Sequence, residues 1–382
     1  MLGNVFAIGL VAVFFAQIYY YLRYFFVIFW AQRKQKKGKL DFQTAKPPVS
    51  VVICSKNESE NLHKFLPSIL EQDYPNFEVV VVNDGSTDTT SEVLSIFKEK
   101  YNNLYETYIP QSAEIISRKK LGLTLGVKAA KNEILLFTDA DCKAVSRHWI
   151  SKMVRNFTPE TEFVLGCGLY MYEKTFINRL ISYDTLTIAL QYLGFAFAGR
   201  PYMGVGRNLA YRKSTFMSHK GFAGLLHVQS GDDDLFVNHW ATKQNTRVEL
   251  SAQSITASLP KKSFREWLSQ KDRHLSTSSM YKKTDLWRLG GELGTRTLFY
   301  LFFVLSLFFW TPMAGAIALS LFCLRLIFQI VLLNLSARKL GQTERFFHID
   351  VVLFDIFLPL VNLFLKTRNK LFRRKNQLYK WK

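Results

Sequence analysis

Two carboxylates stand two positions apart in Asp139-Ala-Asp141, directly after the apolar run Glu133 to Phe137. On its own such a pair reads as a capped, solvated turn. At a strand end it suits a hard divalent cation, Mg²⁺ or Mn²⁺, which takes one or two carboxylates and fills its shell with substrate phosphates. A second acidic group, Gly231-Asp-Asp-Asp234, precedes an apolar helical run. A helix dipole favours acids there, and one such carboxylate can remove the proton of an attacking hydroxyl. Asp232 and Asp233 are the candidates. Farther on, Arg273 suits a clamp on a diphosphate leaving group, with Gln270 three residues before it. Asp84 and Glu58 each follow an apolar run and suit hydrogen bonding to a base or ribose. Lys119 or Lys120 suits a phosphate or open solvent equally well.

These residues need elements to carry them. Val49 to Cys54 and Phe77 to Val82 are short β-branched runs, expected as buried strands. Residues 58–72, 89–99 and 119–131 show helical spacing. A further strand is expected at Glu133 to Phe137. Strands alternating with helices predict a mostly parallel α/β sheet with flanking helices, whose ligands bind beyond the carboxyl ends of the strands. The loops after 54, 82 and 137 all fall at that edge, which reverses the solvated-turn reading of Asp139 and Asp141. Gly204-Val-Gly-Arg-Asn208 does not complete a dinucleotide fingerprint and follows no clear strand.

The 382 residues hold 50 Lys+Arg against 30 Asp+Glu, a net charge of +20, and 33 Phe. With a mean hydropathy of +0.02, that composition is segregated. Leu2 to Trp30 is almost wholly apolar and is followed by Arg33, Lys34, Lys36, Lys37 and Lys39. It reads as an uncleaved anchor (residues 1–32) with a basic linker (33–46) on the cytosolic side. The block 295–336 has one charge, Arg325, within Thr297 to Ser336 and a turn signal at Thr311-Pro312, so two spans are expected. Residues 345–366 carry Asp350 and Asp355 and read as an interfacial or re-entrant helix, with a third C-terminal span as the alternative. The tail 367–382 is basic. Phe176 to Ala198 is broken by Arg179 and Asp184 and is not expected to span. The soluble part is placed at 47–289, with interfacial helices near 260–287. The basic flanks explain most of the charge through the bilayer, so no nucleic-acid partner is expected. The four cysteines show no metal spacing and read as ordinary thiols.

Taken in order, the set Ser55-Lys-Asn-Glu58, Asn83-Asp-Gly-Ser-Thr-Asp88, Lys119-Lys-Leu-Gly-Leu-Thr-Leu-Gly126, Asp139-Ala-Asp141, Gly231-Asp-Asp233 and Gln270-x-x-Arg273 resembles glycosyltransferase family 2. That group includes membrane-anchored cellulose, chitin and hyaluronan synthases and ceramide glucosyltransferases. The resemblance covers residues 47–280 and the anchors. It implies a GT-A fold, inverting transfer and a nucleoside-diphosphate sugar donor, UDP-linked for preference. The acceptor would be a lipid-linked molecule or glycan at a bacterial-type inner or plasma membrane. Asp84 would meet the base, Asp139 and Asp141 the metal. Aligning on Gly-Asp-Asp makes Asp233 the catalytic base, and aligning on the following Asp-Leu makes it Asp232. Gln270 and Arg273 would match the QxxRW motif, with His274 in place of its Trp. Asn83 replaces the first Asp of the usual DDGS. A polyprenyl-phosphate sugar synthase and a non-enzymatic membrane scaffold are the rival expectations.

Overall fold

The β-branched runs of the sequence become the centre of a sheet. In a computed structural model, which describes residues 2–109, 117–226, 228–344 and 346–372, they form neighbouring strands whose side chains are buried on both faces. The chain opens with α1 (Leu2–Tyr20), a π-helical turn at Tyr21–Phe25 and α2 (Val27–Lys36). Then come β1 (Val49–Ser55), α3 (Ser59–Leu70), β2 (Phe77–Asn83), α4 (Thr90–Lys100), β3 (Leu104–Tyr108), α5 (Arg118–Ala129) and β4 (Ile134–Phe137). Shorter pieces follow: β5 (Cys142–Ala144), α6 (Trp149–Val154), β6 (Phe163–Leu165) and β7 (Gly168–Tyr170). The long α7 (Phe176–Phe197) leads to β8 (Leu209–Arg212), α8 (Lys213–Ser218), α9 (Asp234–Trp240), β9 (Thr246–Val248) and β10 (Thr256–Ser258). Four helices close the described chain: α10 (Phe264–Ser278), α11 (Lys283–Phe308), α12 (Pro312–Lys339) and α13 (Asp350–Phe372).

The main sheet has seven strands in the order β3-β2-β1-β4-β8-β6-β9. Strands β3, β2, β1 and β4 run parallel, β8 is antiparallel to both neighbours, and β6 pairs in parallel with β9. The expected mostly parallel α/β sheet is therefore what forms. A second sheet, β5-β10-β7, stands beside it. Its strands have three residues each, too short to leave a period in the sequence.

Among the described residues, three helices are long and apolar enough to cross a membrane: Leu2–Phe25, Lys283–Phe308 and Pro312–Lys339. Helix α11 begins at Lys283, so the divide expected between 289 and 295 falls inside one continuous helix. The Thr311 hydroxyl accepts from the Ala314 amide and caps α12, with Pro312 as its first residue. Helix α13 is continuous and buries Val351, Phe354, Leu358 and Leu365 against the rest of the protein. The basic residues from 373 onward lie outside the described residues.

Helix α7 runs between the sheet and the N-terminal helical segment. Its Phe195 ring stacks on Tyr24 of the π-helical turn, centroids 4.0 Å apart. The contact is this close because residue 194 is glycine. A Cβ there would stand 2.1 Å from the Tyr24 carbonyl oxygen, a backbone atom with no rotamer to change. Gly194→Leu is therefore expected to destabilise the full chain by at least ~1–3 kcal/mol, the usual cost of overpacking. Thermal unfolding in detergent measures this, and an unchanged midpoint would show that the anchor does not lean on α7 here.

Candidate active site

Strands β1, β2 and β4 of the parallel half each deliver one polar loop to the same edge. After β1, Asn57 takes a left-handed conformation (φ 54°), and its side-chain oxygen accepts from the Thr87 amide 2.8 Å away. This ties the first loop to the second. After β2, Asp84 is fully buried and accepts from Arg118 Nε at 2.6 Å, while its other carboxylate oxygen has no partner among the described residues. Burial raises the Asp84 carboxyl, and the Arg118 guanidinium opposes that rise. Glu58 accepts from Asn61 Nδ2 at 2.6 Å and is likewise raised by burial.

After β4, Asp139 accepts from Lys119 Nζ at 3.0 Å. The same ammonium lies 3.4 Å from an Asp232 oxygen. Burial works to raise Asp139, yet Lys119, with Arg207 and Arg273 nearby, holds it below its ordinary value. Asp141 behaves oppositely: burial pushes its carboxyl up, and the charge of Asp139 adds to this. Ligand atoms of Asp139, Asp141 and Cys142 all lie within 4.8 Å of one another. Two carboxylates this close together fit a divalent cation. Cys142 donates to Asp141 from 3.4 Å, and burial pushes its thiol well above the ordinary value. The hard-oxygen pair is thus the stronger fit for Mg²⁺ or Mn²⁺.

The acidic loop is built with care. Gly231 has φ 97°, a left-handed value that glycine adopts without strain. A Cβ there would also stand 2.5 Å from Leu235. Lys120 is fully buried and donates to the carbonyls of Leu225, Val228 and Ser230. It faces neither phosphate nor solvent but pins the chain that leads into the acids. Asp234 accepts from Thr277 Oγ1 at 2.5 Å and Tyr281 at 2.7 Å, which locks α9 to α10. Asp233 accepts from the Gly206 amide at 2.6 Å and the Asp234 amide at 2.8 Å. Burial, then the charges of Asp232 and Asp234, push its carboxyl up to about 7.

Lys119, Asp139, Asp232, Asp233 and Gly206 line one narrow cleft with Cys54 at its floor. Burial works against the Lys119 charge, but Asp139, Asp232 and Asp233 outweigh it and raise its pKa. Gln270 donates to the Tyr170 hydroxyl at 2.9 Å on the neighbouring wall. Arg273 lies close enough for its charge to act on Lys119 and Asp139. Sequence reasoning missed Arg207, whose guanidinium lies 4.6 Å from the Tyr170 ring centroid and whose charge acts on Asp139 and Asp141. The one signal was its place in Gly204-Val-Gly-Arg-Asn208. That segment supplies the Gly206 amide to Asp233, a role its glycine spacing does not announce.

A fold that gathers acids at the carboxyl edge of a mixed sheet is that of a GT-A glycosyltransferase. The solved mannosyltransferase PcManGT from Pyrobaculum calidifontis, in complex with GDP-Man and Mn²⁺, superposes with a TM-score of 0.60 at 16% identity. The match covers 98% of this chain and 100% of that one, which establishes the fold. Residues 50–223 match the family model "Glycosyl transferase family 2". Among curated relatives, the poly-beta-1,6-N-acetyl-D-glucosamine synthase of Staphylococcus epidermidis is 32% identical over 93 residues, 24% of this chain and 21% of that one. Glycosyltransferase AglE of Haloferax volcanii is 36% identical over 112 residues, 28% of this chain and 34% of that one. The similarity thus spans about a fifth of the first relative's length and a third of the second's.

Proposed function

We propose that the protein is a membrane-anchored, inverting glycosyltransferase that moves a sugar from a nucleoside-diphosphate donor to a hydroxyl of a lipid-linked or glycan acceptor. The observation that carries this reading is the position of Lys119. Its ammonium lies between Asp139 and Asp232, so two carboxylate groups far apart in sequence face one space. The relatives fit a sugar substrate, and the solved neighbour's GDP-Man and Mn²⁺ fit a diphosphate–metal site.

Asp84 and Glu58 hold the base and ribose end. Asp139 and Asp141 would hold a divalent cation, which would supply positive charge at the diphosphate leaving group. Lys119 and Arg273 add cationic charge at the same place, and Gln270 closes the wall above it. Asp233 is the general base. Two backbone amides fix its plane, and a carboxyl near 7 is matched to proton removal near neutral pH. Asp232 faces the Lys119 ammonium instead. Asp233 takes the acceptor proton. The acceptor oxygen then bonds to the anomeric carbon as the carbon–oxygen bond to the diphosphate breaks. A single displacement inverts the centre.

Asp233→Asn is expected to lower transfer more than about 100-fold, the usual share of a general base. Asp232→Asn should leave measurable transfer. The base must be unprotonated, so wild-type transfer should rise with pH through about 7 and flatten above it. Initial rates across pH 5.5–9 with a radiolabelled donor check both points. Full transfer in Asp233→Asn would remove the assignment. A screen of UDP- and GDP-sugars in detergent, with mass analysis of extracted lipids, identifies donor and acceptor.

A further inference from the structure

Away from the cleft, a chamber of about 960 Å³ lies between α2, the linker that follows it, the end of α7 and the edge strand β9. It shares no lining residue with the acidic cleft. Its size falls within the range of small-molecule sites, roughly 300–1,000 Å³. Its charge is lopsided: eight lysines and arginines line it against one carboxylate, Glu249. That carboxylate is already spent, since Arg155 binds both of its oxygens at 2.9 and 3.0 Å and Asn156 adds a third bond. The other seven cations make no ion pair among the described residues.

Three of them are held against apolar surface instead. Lys34 Nζ lies 4.6 Å from the Phe197 ring centroid. Arg247 lies 5.7 Å from that of Phe42, and burial lowers its pKa. The stem of Lys243 rests on Gly199. Arg247 feels the charges of Asp41 and Glu249, but the cations on this concave wall outnumber the acids and repel one another, and an anion in the chamber relieves that repulsion. The chamber also opens on Tyr19 and Leu22, exposed residues on the outer face of the helix fit to cross the membrane. An apolar tail could run along that face while its head stays among the cations.

We propose that this chamber binds the phosphate-bearing headgroup of an anionic phospholipid, with the acyl chains lying along α1. The proposal rests on the reading of α1 as a membrane span. It adds to that reading a defined pocket, rather than general attraction to the surface, and the pocket fixes the catalytic domain to the anchor through β9 and α7.

The test uses the full chain, freed of lipid in a neutral detergent. Its thermal midpoint is followed during titration with phosphatidylglycerol, phosphatidylcholine or inorganic phosphate. Phosphatidylglycerol should raise the midpoint by several degrees in a saturable way, because a ligand that binds only the folded state stabilises it. Phosphatidylcholine should do little. An equal rise with phosphatidylcholine overturns the headgroup claim, and a full rise with inorganic phosphate alone overturns the lipid in favour of a free anion. Arg247→Gln with Lys243→Gln should lose at least half of the phosphatidylglycerol shift while keeping donor hydrolysis. An undiminished shift in that variant overturns the site. If the variant unfolds early without lipid, Lys34→Gln with Lys37→Gln at the exposed end of α2 carries the same comparison. Membrane fractionation of each variant reports the anchor separately: loss from the membrane fraction of the wild type would indict the span, not the pocket.

Discussion

Asp139→Ala and Asp141→Ala are each expected to lower metal-dependent donor turnover by well over about 100-fold. Replacing even a group behind a metal ligand costs about 10–100-fold, and these are the proposed ligands themselves. The two variants should differ in a second way. Asp141 is crowded by Asp139, so its loss relieves repulsion and should leave the fold intact. Asp139 is bonded to Lys119 at 3.0 Å, so its loss removes one of that ammonium's carboxylate partners, with Asp232 still 3.4 Å away. The Asp139 variant should therefore bind the nucleoside diphosphate without metal no better than wild type, while the Asp141 variant keeps the metal-free contacts. Donor hydrolysis and thermal shift by UDP or GDP, each with and without Mn²⁺, separate the cases. Full turnover in both variants would end the metal assignment, and absence of any nucleotide shift in the wild type would favour a scaffold over an enzyme.

Much of the site was legible because its residues sit at the ends of strongly patterned strands. Val49 to Cys54 and Phe77 to Val82 read as strands within one residue of what forms. The loops after them were therefore placed at the right edge. What the sequence could not show is partnership across distance. Lys119 and Lys120 are neighbours of one type, and only the fold sends one to Asp139 and the other to three carbonyls. The strand β3 went unread because Leu104–Tyr108 is half exposed and carries Glu106. Arg207 gave no signal of its own, since one arginine after two glycines has no period and no motif.

The membrane part shows the same limit more sharply. Arg325 appears in the sequence as a lone charge in an apolar block, and Asp355 as a reason against burial. In the structure they are one pair: Arg325 donates to Asp355 at 2.7 Å, and both are almost fully buried. Arg296 approaches Asp355 to 3.4 Å and pairs with Glu292 at 2.6 Å. Tyr183 and Tyr300 donate to the two oxygens of Asp355. Each charge counted in its own segment is a penalty, and counted together they cancel, two cations against two carboxylates.

Asp355→Ala breaks that cancellation. It leaves one net positive charge buried where α11, α12 and α13 meet, and it strips two tyrosines and one guanidinium of their acceptor. Removing one partner of a buried pair costs about 3–5 kcal/mol, so the midpoint of the full chain in detergent should fall steeply. Helix α13 should loosen first, because Asp355 ties it to Tyr183 of α7, Tyr300 of α11 and Arg325 of α12. The loss should reach the catalytic domain, since Arg368 and Asn369 of the same helix bind Asp272 of α10 at 2.9 and 2.7 Å. Donor turnover at a temperature below unfolding should therefore drop as Gln270 and Arg273 on α10 lose their support. The double variant Arg325→Met with Asp355→Leu restores neutrality and leaves the Arg296–Glu292 pair whole. It should recover a large part of the midpoint, because a buried ion pair is often replaceable by apolar groups while half of one is not. If the double variant is no more stable than Asp355→Ala, the loss comes from the tyrosine hydrogen bonds and not from the stranded charge.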